Sequence, residues 1–152
     1  MNARPDDALT DPLSKRRLRL WLRMLAITRR AETRLRDYLR TEHDTTLPRF
    51  DVMAALHRRG EPTMMSELSQ MLLVSNSNVT AICQPLEKAG LIERLPCDED
   101  RRAVRVNLTP EGRALFERIA IGHEAEIADI FAPLDATDLD EMRHLLRKLG
   151  KQ

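Results

Sequence analysis

The sequence predicts a mainly α-helical chain with one small β-hairpin. Three observations lead there. Apolar residues recur at three- and four-residue steps through most of the 152 residues. Aromatic residues make up 3%, fewer than a β-sandwich or barrel core usually holds. At one place, around Val104, Val106 and Leu108, the helical period gives way to two-residue alternation.

Residues 1–12 are polar, carry Pro5 and Pro12, and read as a loose tail. A long helix follows, from Leu13 to about His43, with Leu18, Trp21, Leu22, Leu25, Leu35 and Leu39 on its apolar side and arginines crowding the other faces. Pro48 opens a second helix, where its missing N–H costs nothing; Phe50, Met53, Ala54 and Leu56 form the buried face, and Gly60 stops it. A short helix is expected from about Thr63 to Leu73, capped by Thr63 or Ser66. After a brief turn, Ser75 caps a helix running to Ala89, with Gly90 just past its end. Pro85 lies ten residues into that helix. It cannot donate to the Ala81 carbonyl, a cost of about 3 kcal/mol in a regular helix, so a kink or a local 3₁₀ turn is expected.

Leu91–Leu95 is a short extended run, residues 96–102 form a polar turn, and Val104–Leu108 reads as a half-buried strand. Thr109-Pro110-Glu111 starts another helix, which runs to about Ala132 and is closed by Pro133. Asp135 caps the last helix, with Leu139, Met142, Leu145, Leu146 and Leu149 on one face. The expected order is α-α-α-α-β-β-α-α.

Composition narrows the function. Hydrophobic residues at 42% and charged residues at 32% describe a soluble globular chain of one domain, with a heavily charged surface. The net charge of +1 argues neither for nor against nucleic acid, so the distribution of charge must decide. Cys83 and Cys97 have neither metal-type nor disulfide-framework spacing, and His43, His57, His123 and His144 are scattered, so no metal is expected. No Ser/His/Asp set, Gly-rich loop or carboxylate pair is legible; neither an enzyme nor a cofactor is expected. No apolar run is long enough for a membrane and no signal-peptide core precedes the first helix, which predicts the reducing cytoplasm.

The stretch from about Ser66 to Leu108 reads as a winged helix-turn-helix. Its second helix can enter a major groove. That helix opens with Ser75-Asn76-Ser77-Asn78-Val79-Thr80, small polar groups beside free backbone N–H groups that suit phosphates and base edges. Gln84 can bond adenine in two places. The hairpin tip presents Arg101 and Arg102, and an arginine on a thin β-ribbon can enter a narrow minor groove. Taken singly, a Ser/Asn cluster is an ordinary cap and an Arg pair is a solvated turn; their order and spacing together point to DNA.

These residues resemble the multiple-antibiotic-resistance regulator (MarR) family. The likeness rests on Met65-Ser66-Glu67-Leu68-Ser69, on Val74–Thr80, on Leu86–Arg94, and above all on the stretch from Asp98 to Ala114. It covers roughly residues 13–150. The resemblance implies a homodimer held by segments 13–45 and 110–152, flanking a DNA-binding lobe at 48–108. It implies a pseudo-palindromic double-stranded operator, repression, and release by a small molecule. The family's wing carries an Asp-x-Arg pattern, matched by Asp100 and Arg102, in which the Arg reaches the minor groove and the Asp holds it. The candidate DNA contacts are Ser66, Ser75, Asn76, Ser77, Asn78, Thr80, Ala81, Gln84, Lys88, Arg94, Asp100, Arg101 and Arg102.

Relatives often carry Arg where this chain has Ala81 and Pro85, so operator sequence does not transfer from them, and Lys88, Arg94, Arg101 and Arg105 are expected to supply phosphate contacts instead. The same departure motivates an alternative, a dimeric ligand-binding or protein-interaction module with degenerate DNA recognition. For the effector, the resemblance implies a site between the dimer helices and the DNA-binding lobe, with Trp21, Met24, His43, Arg49, Phe50 and His123 as candidate lining. Trp21, Met24 and Phe50 read equally as core. The segments 46–55 and 122–124 are similar to the branch that senses aromatic acids or their coenzyme A thioesters.

Overall fold

The computed structural model describes residues 12–97, 100 and 102–150. Its elements are α1 (Leu13–His43), α2 (Leu47–Arg59), β1 (Thr63–Met64), α3 (Met65–Leu72), α4 (Asn76–Lys88), β2 (Ile92–Pro96), β3 (Val104–Leu108), α5 (Pro110–Phe131) and α6 (Ala136–Leu149). The three strands form one antiparallel sheet in the order β1-β3-β2, with Thr63 opposite Val106 and Ile92 opposite Leu108.

Local chemistry sets most of the boundaries. Thr46, Ser75, Thr109 and Asp135 each accept a backbone N–H from the third residue beyond, at Arg49, Asn78, Gly112 and Asp138. Gly60 and Gly90 take the left-handed conformation that ends α2 and α4, with φ of 70° and 72°. The core lies where α2, α3, α4 and α5 meet the sheet. Leu39, Met53, Leu56, Leu68, Val79, Cys83, Val106 and Ile119 are buried there. Each large apolar side chain among them contributes ~1.5–3 kcal/mol relative to exposure.

Two sequence expectations are corrected. The third helix begins at Met65, not Thr63, because Thr63 and Met64 pair with β3. Thr63 is wholly buried and its hydroxyl donates to the Glu61 carbonyl, so it caps nothing; Ser66 lies inside the helix. Met64 holds the N-cap position, and the Glu67 carboxylate accepts its N–H at 3.2 Å. Second, of the kink or 3₁₀ turn expected at Pro85, the 3₁₀ turn does not form: the residues from Asn76 to Lys88 are all α-helical. Val79, Cys83 and Leu86 anchor the helix on either side of the missing bond, and Ala81 is exposed, so water can reach the region of its carbonyl.

Leu73, in the turn between α3 and α4, is 92% exposed and has φ 55°. A branched residue in this region is strained by roughly 1–2 kcal/mol. Replacing Leu73 by Gly removes the strain but adds chain entropy to the unfolded state, so a net stabilisation of about 1 kcal/mol is expected. Urea unfolding of the two proteins checks this.

Helix α1 docks on α5 through Arg34, which bonds Glu126 at 2.7 Å and Asp129 at 2.8 Å, and through Tyr38, whose hydroxyl donates to the Ile119 carbonyl. The outer helices otherwise keep much apolar surface. Leu13, Leu18, Leu20, Trp21 and Leu22 on α1, and Leu145 and Leu149 on α6, are each more than half exposed. Helix α6 buries none of its residues.

Candidate nucleic-acid interface

Helix α4 is fixed by its buried side, Val79, Cys83 and Leu86, against the core. Asn76, Ser77, Asn78, Ala81, Gln84 and Lys88 are left exposed, and Thr80 half-buried. At the helix start, the Ser75 and Ser77 hydroxyls bond each other at 3.1 Å, and Thr80 Oγ1 donates to the Asn76 carbonyl at 3.0 Å.

Beside this start, β2, β3 and their connection close a groove of about 460 Å³. The groove brings together Ser66 of α3, Asn76 and Thr80 of α4, Arg94 of β2, and Asp100 and Arg102 of the wing. Six of the thirteen expected DNA contacts therefore share one concave surface with cationic groups on its wing side. Asn78 and Ala81 border the cleft between α2 and α4, Ala81 at its outer edge, and Lys88 lies at the C-terminal end of α4. Arg101 lies outside the described residues. Asp100 Oδ1 accepts the Arg102 backbone N–H at 2.9 Å, so the carboxylate shapes the turn that carries the arginine. Arg105, on β3, is half-buried.

Glu87, which the sequence reading passed over, accepts a bond from Arg94 Nε at 2.7 Å. This pair ties the wing strand to α4. Glu87 lies on α4 and Arg94 on β2, so no single-element period relates them and only the fold pairs them. Cys83 is buried in the core, where burial pushes its thiol up to about 11 and disfavours a reactive thiolate. Cys97 is buried too.

The six expected effector residues do not form one site. Phe50 is buried and stacks on His123 at 4.4 Å and on Phe116 at 5.3 Å. Burial there lowers the His123 pKa. His43 bonds the Tyr38 hydroxyl at 2.7 Å. Trp21 and Met24 sit on the N-terminal half of α1, Trp21 largely exposed. Arg49 alone lines the cleft between the start of α2 and α4, of about 700 Å³, with Asp51, Leu72, Ile82 and Pro85 among its other walls. Burial, followed by the charge of Glu32, raises the Asp51 pKa even though the side chain keeps an open edge. Among the described residues no cluster of three His, Cys, Asp or Glu side chains has the arrangement of a metal site, and no helix is long and apolar enough to cross a membrane.

The MarR family model matches residues 45–104. The HTH-type transcriptional regulator PecS of Dickeya dadantii is 33% identical over 117 residues, covering 76% of this chain and 70% of PecS. The chain belongs to the MarR family. It is a DNA-binding transcriptional regulator with the winged helix-turn-helix expected from its sequence. The transcriptional repressor MprA of Escherichia coli K12 is 34% identical over 84 residues, 55% of this chain and 48% of MprA. A mutant E. coli MarR solved in complex with operator DNA superposes with a TM-score of 0.77 at 25% identity, covering 91% of this MarR-family chain and 99% of that one. AbsC from Streptomyces coelicolor shares the fold, with a TM-score of 0.80 at 24% identity over 93% of this chain and 97% of AbsC.

Proposed function

We propose that this regulator is a cytoplasmic homodimeric repressor that binds a pseudo-palindromic operator and is released by a small molecule. The groove that joins Asn76 and Thr80 of α4 to Arg94 and Arg102 of the wing carries the reading. It offers polar groups at a helix N-terminus for bases and phosphates, next to cations for the backbone. The exposed apolar sides of α1 and α6 support dimerisation through those helices, which sets two copies of α4 on one operator. The likeness to MprA supports repression.

Trp21 and Met24 fall in the proposed dimer contact. The effector, an aromatic acid or its coenzyme A thioester, enters the cleft at Arg49, whose guanidinium faces a carboxylate or phosphate while Leu72, Ile82 and Pro85 cover the apolar part. A ligand there touches α2 and α4 together, and so acts directly on the position of the reading helix.

Replacing Arg102 by Ala tests the wing. Operator affinity is expected to fall by roughly 1–3 kcal/mol, about 5- to 150-fold, in fluorescence anisotropy with a labelled operator duplex. Unchanged affinity would remove the wing from the interface.

A further inference from the structure

The side of α4 that faces away from the core carries little charge. With Val79, Cys83 and Leu86 buried, three- and four-residue steps place Ser77, Ala81, Gln84 and Lys88 on one outward ridge, all four exposed. No Arg or Lys occurs from Asn76 to Glu87. Lys88 is the last residue of the helix, and its neighbour Glu87 is engaged by Arg94. The Ser77 hydroxyl already bonds Ser75. Two side chains in the middle of the ridge remain to meet bases: the Gln84 amide and the Ala81 methyl.

Base pairs differ in what they ask of such a ridge. Guanine shows two acceptors, N7 and O6, which an Arg or Lys satisfies best. Adenine shows one acceptor and one donor, which a Gln amide matches by donating to N7 and accepting from the N6 amino group. Thymine adds a methyl group, which packs on an apolar side chain such as Ala. We infer that α4 selects A·T pairs at the centre of each operator half-site, with Gln84 on an adenine and Ala81 against a thymine methyl. The wing pulls in the same direction. Arg102 stands at the edge of the groove beside α4, and an arginine entering a minor groove favours the narrow groove of A-tracts. The inference rests on the winged-helix DNA-binding reading above and specifies what that surface recognises.

Enrichment of the full-length protein's preferred duplexes from a random library, read by sequencing, tests it. The expected result is a pseudo-palindrome whose half-site centres are A·T pairs. On the enriched duplex, deoxyuridine in place of the contacted thymidine removes one methyl and is expected to weaken binding about fourfold. An Ala81→Arg variant, substituted at an exposed position, is expected to move one base of the enriched half-site to guanine. Half-sites centred on G·C pairs would overturn the inference and leave the DNA-binding reading standing. Enrichment of no sequence by the folded wild-type protein would overturn both.

Discussion

Placing Asp at both Leu145 and Leu149 is expected to give a folded monomer whose operator affinity has dropped by a factor of about 100 or more. The two leucines are one helical turn apart on α6 and are among the most exposed apolar groups of the single chain. No residue of α6 belongs to the buried core, so the change leaves the core of the chain intact. In a dimer contact, each new carboxylate would be stripped of water without a partner, which disfavours association strongly. A specific operator complex is held by ~11–15 kcal/mol. A monomer reaches one half-site and forgoes roughly half of that, several kcal/mol, which sets the lower bound above. Light scattering coupled to size exclusion reads the oligomeric state, and anisotropy the affinity. A variant that stays dimeric and binds normally would take α6 out of the interface.

Gly112→Ala is expected to destabilise the fold by about 3 kcal/mol, although a Gly-to-Ala change within a helix ordinarily stabilises by ~0.5–1 kcal/mol. Gly112 is buried in the first turn of α5, and a Cβ there would overlap the Leu91 carbonyl oxygen. Neither side can yield easily. The Thr109 N–H bonds that same carbonyl at 3.1 Å, the Thr109 hydroxyl donates to the Gly90 carbonyl at 2.6 Å, and the Gly112 N–H bonds the Thr109 hydroxyl at 3.0 Å. This clasp joins the base of the wing to the start of α5. Gly150→Ala serves as the control: nothing stands within 4 Å of its added Cβ, its φ of −88° suits any residue, and a change below ~0.5 kcal/mol is expected. Urea unfolding measures all three proteins. A neutral Gly112→Ala would contradict the clasp.

The sequence revealed the parts of the fold that depend on local chemistry. Ser75, Thr109 and Asp135 cap the helices they were expected to cap, because a cap is made within four residues. The wing was legible through the alternation at Val104–Leu108. Strand β1 was not, since two residues carry no period and Thr63 is a strand residue only because Val106 lies opposite it. Leu73 adopts the left-handed conformation without the Gly or Asn that usually announces it.

The candidate site divides the same way. The grouping of Ser66, Asn76, Thr80, Arg94, Asp100 and Arg102 follows from a recognisable motif. The Glu87–Arg94 tie and the place of Asp51 in the α2–α4 cleft depend on how separate elements pack, which no local pattern encodes. The expected effector residues were scattered for a related reason. Phe50 and His123 are as well suited to stacking within the protein as to ligand stacking, and the fold stacks the half-buried His123 on the buried Phe50.

The central claim, that α4 and the wing read a specific operator, is tested most directly by anisotropy titration of the full-length protein. The duplexes are the DNA upstream of its own gene and a scrambled duplex of equal composition, each titrated at several salt concentrations. The account predicts a preference of at least ~100-fold for the upstream duplex, with affinity for both falling steeply as salt rises. Equal and weak affinity for the two duplexes at moderate salt would contradict it, and would favour a module whose DNA recognition has degenerated at Ala81 and Pro85.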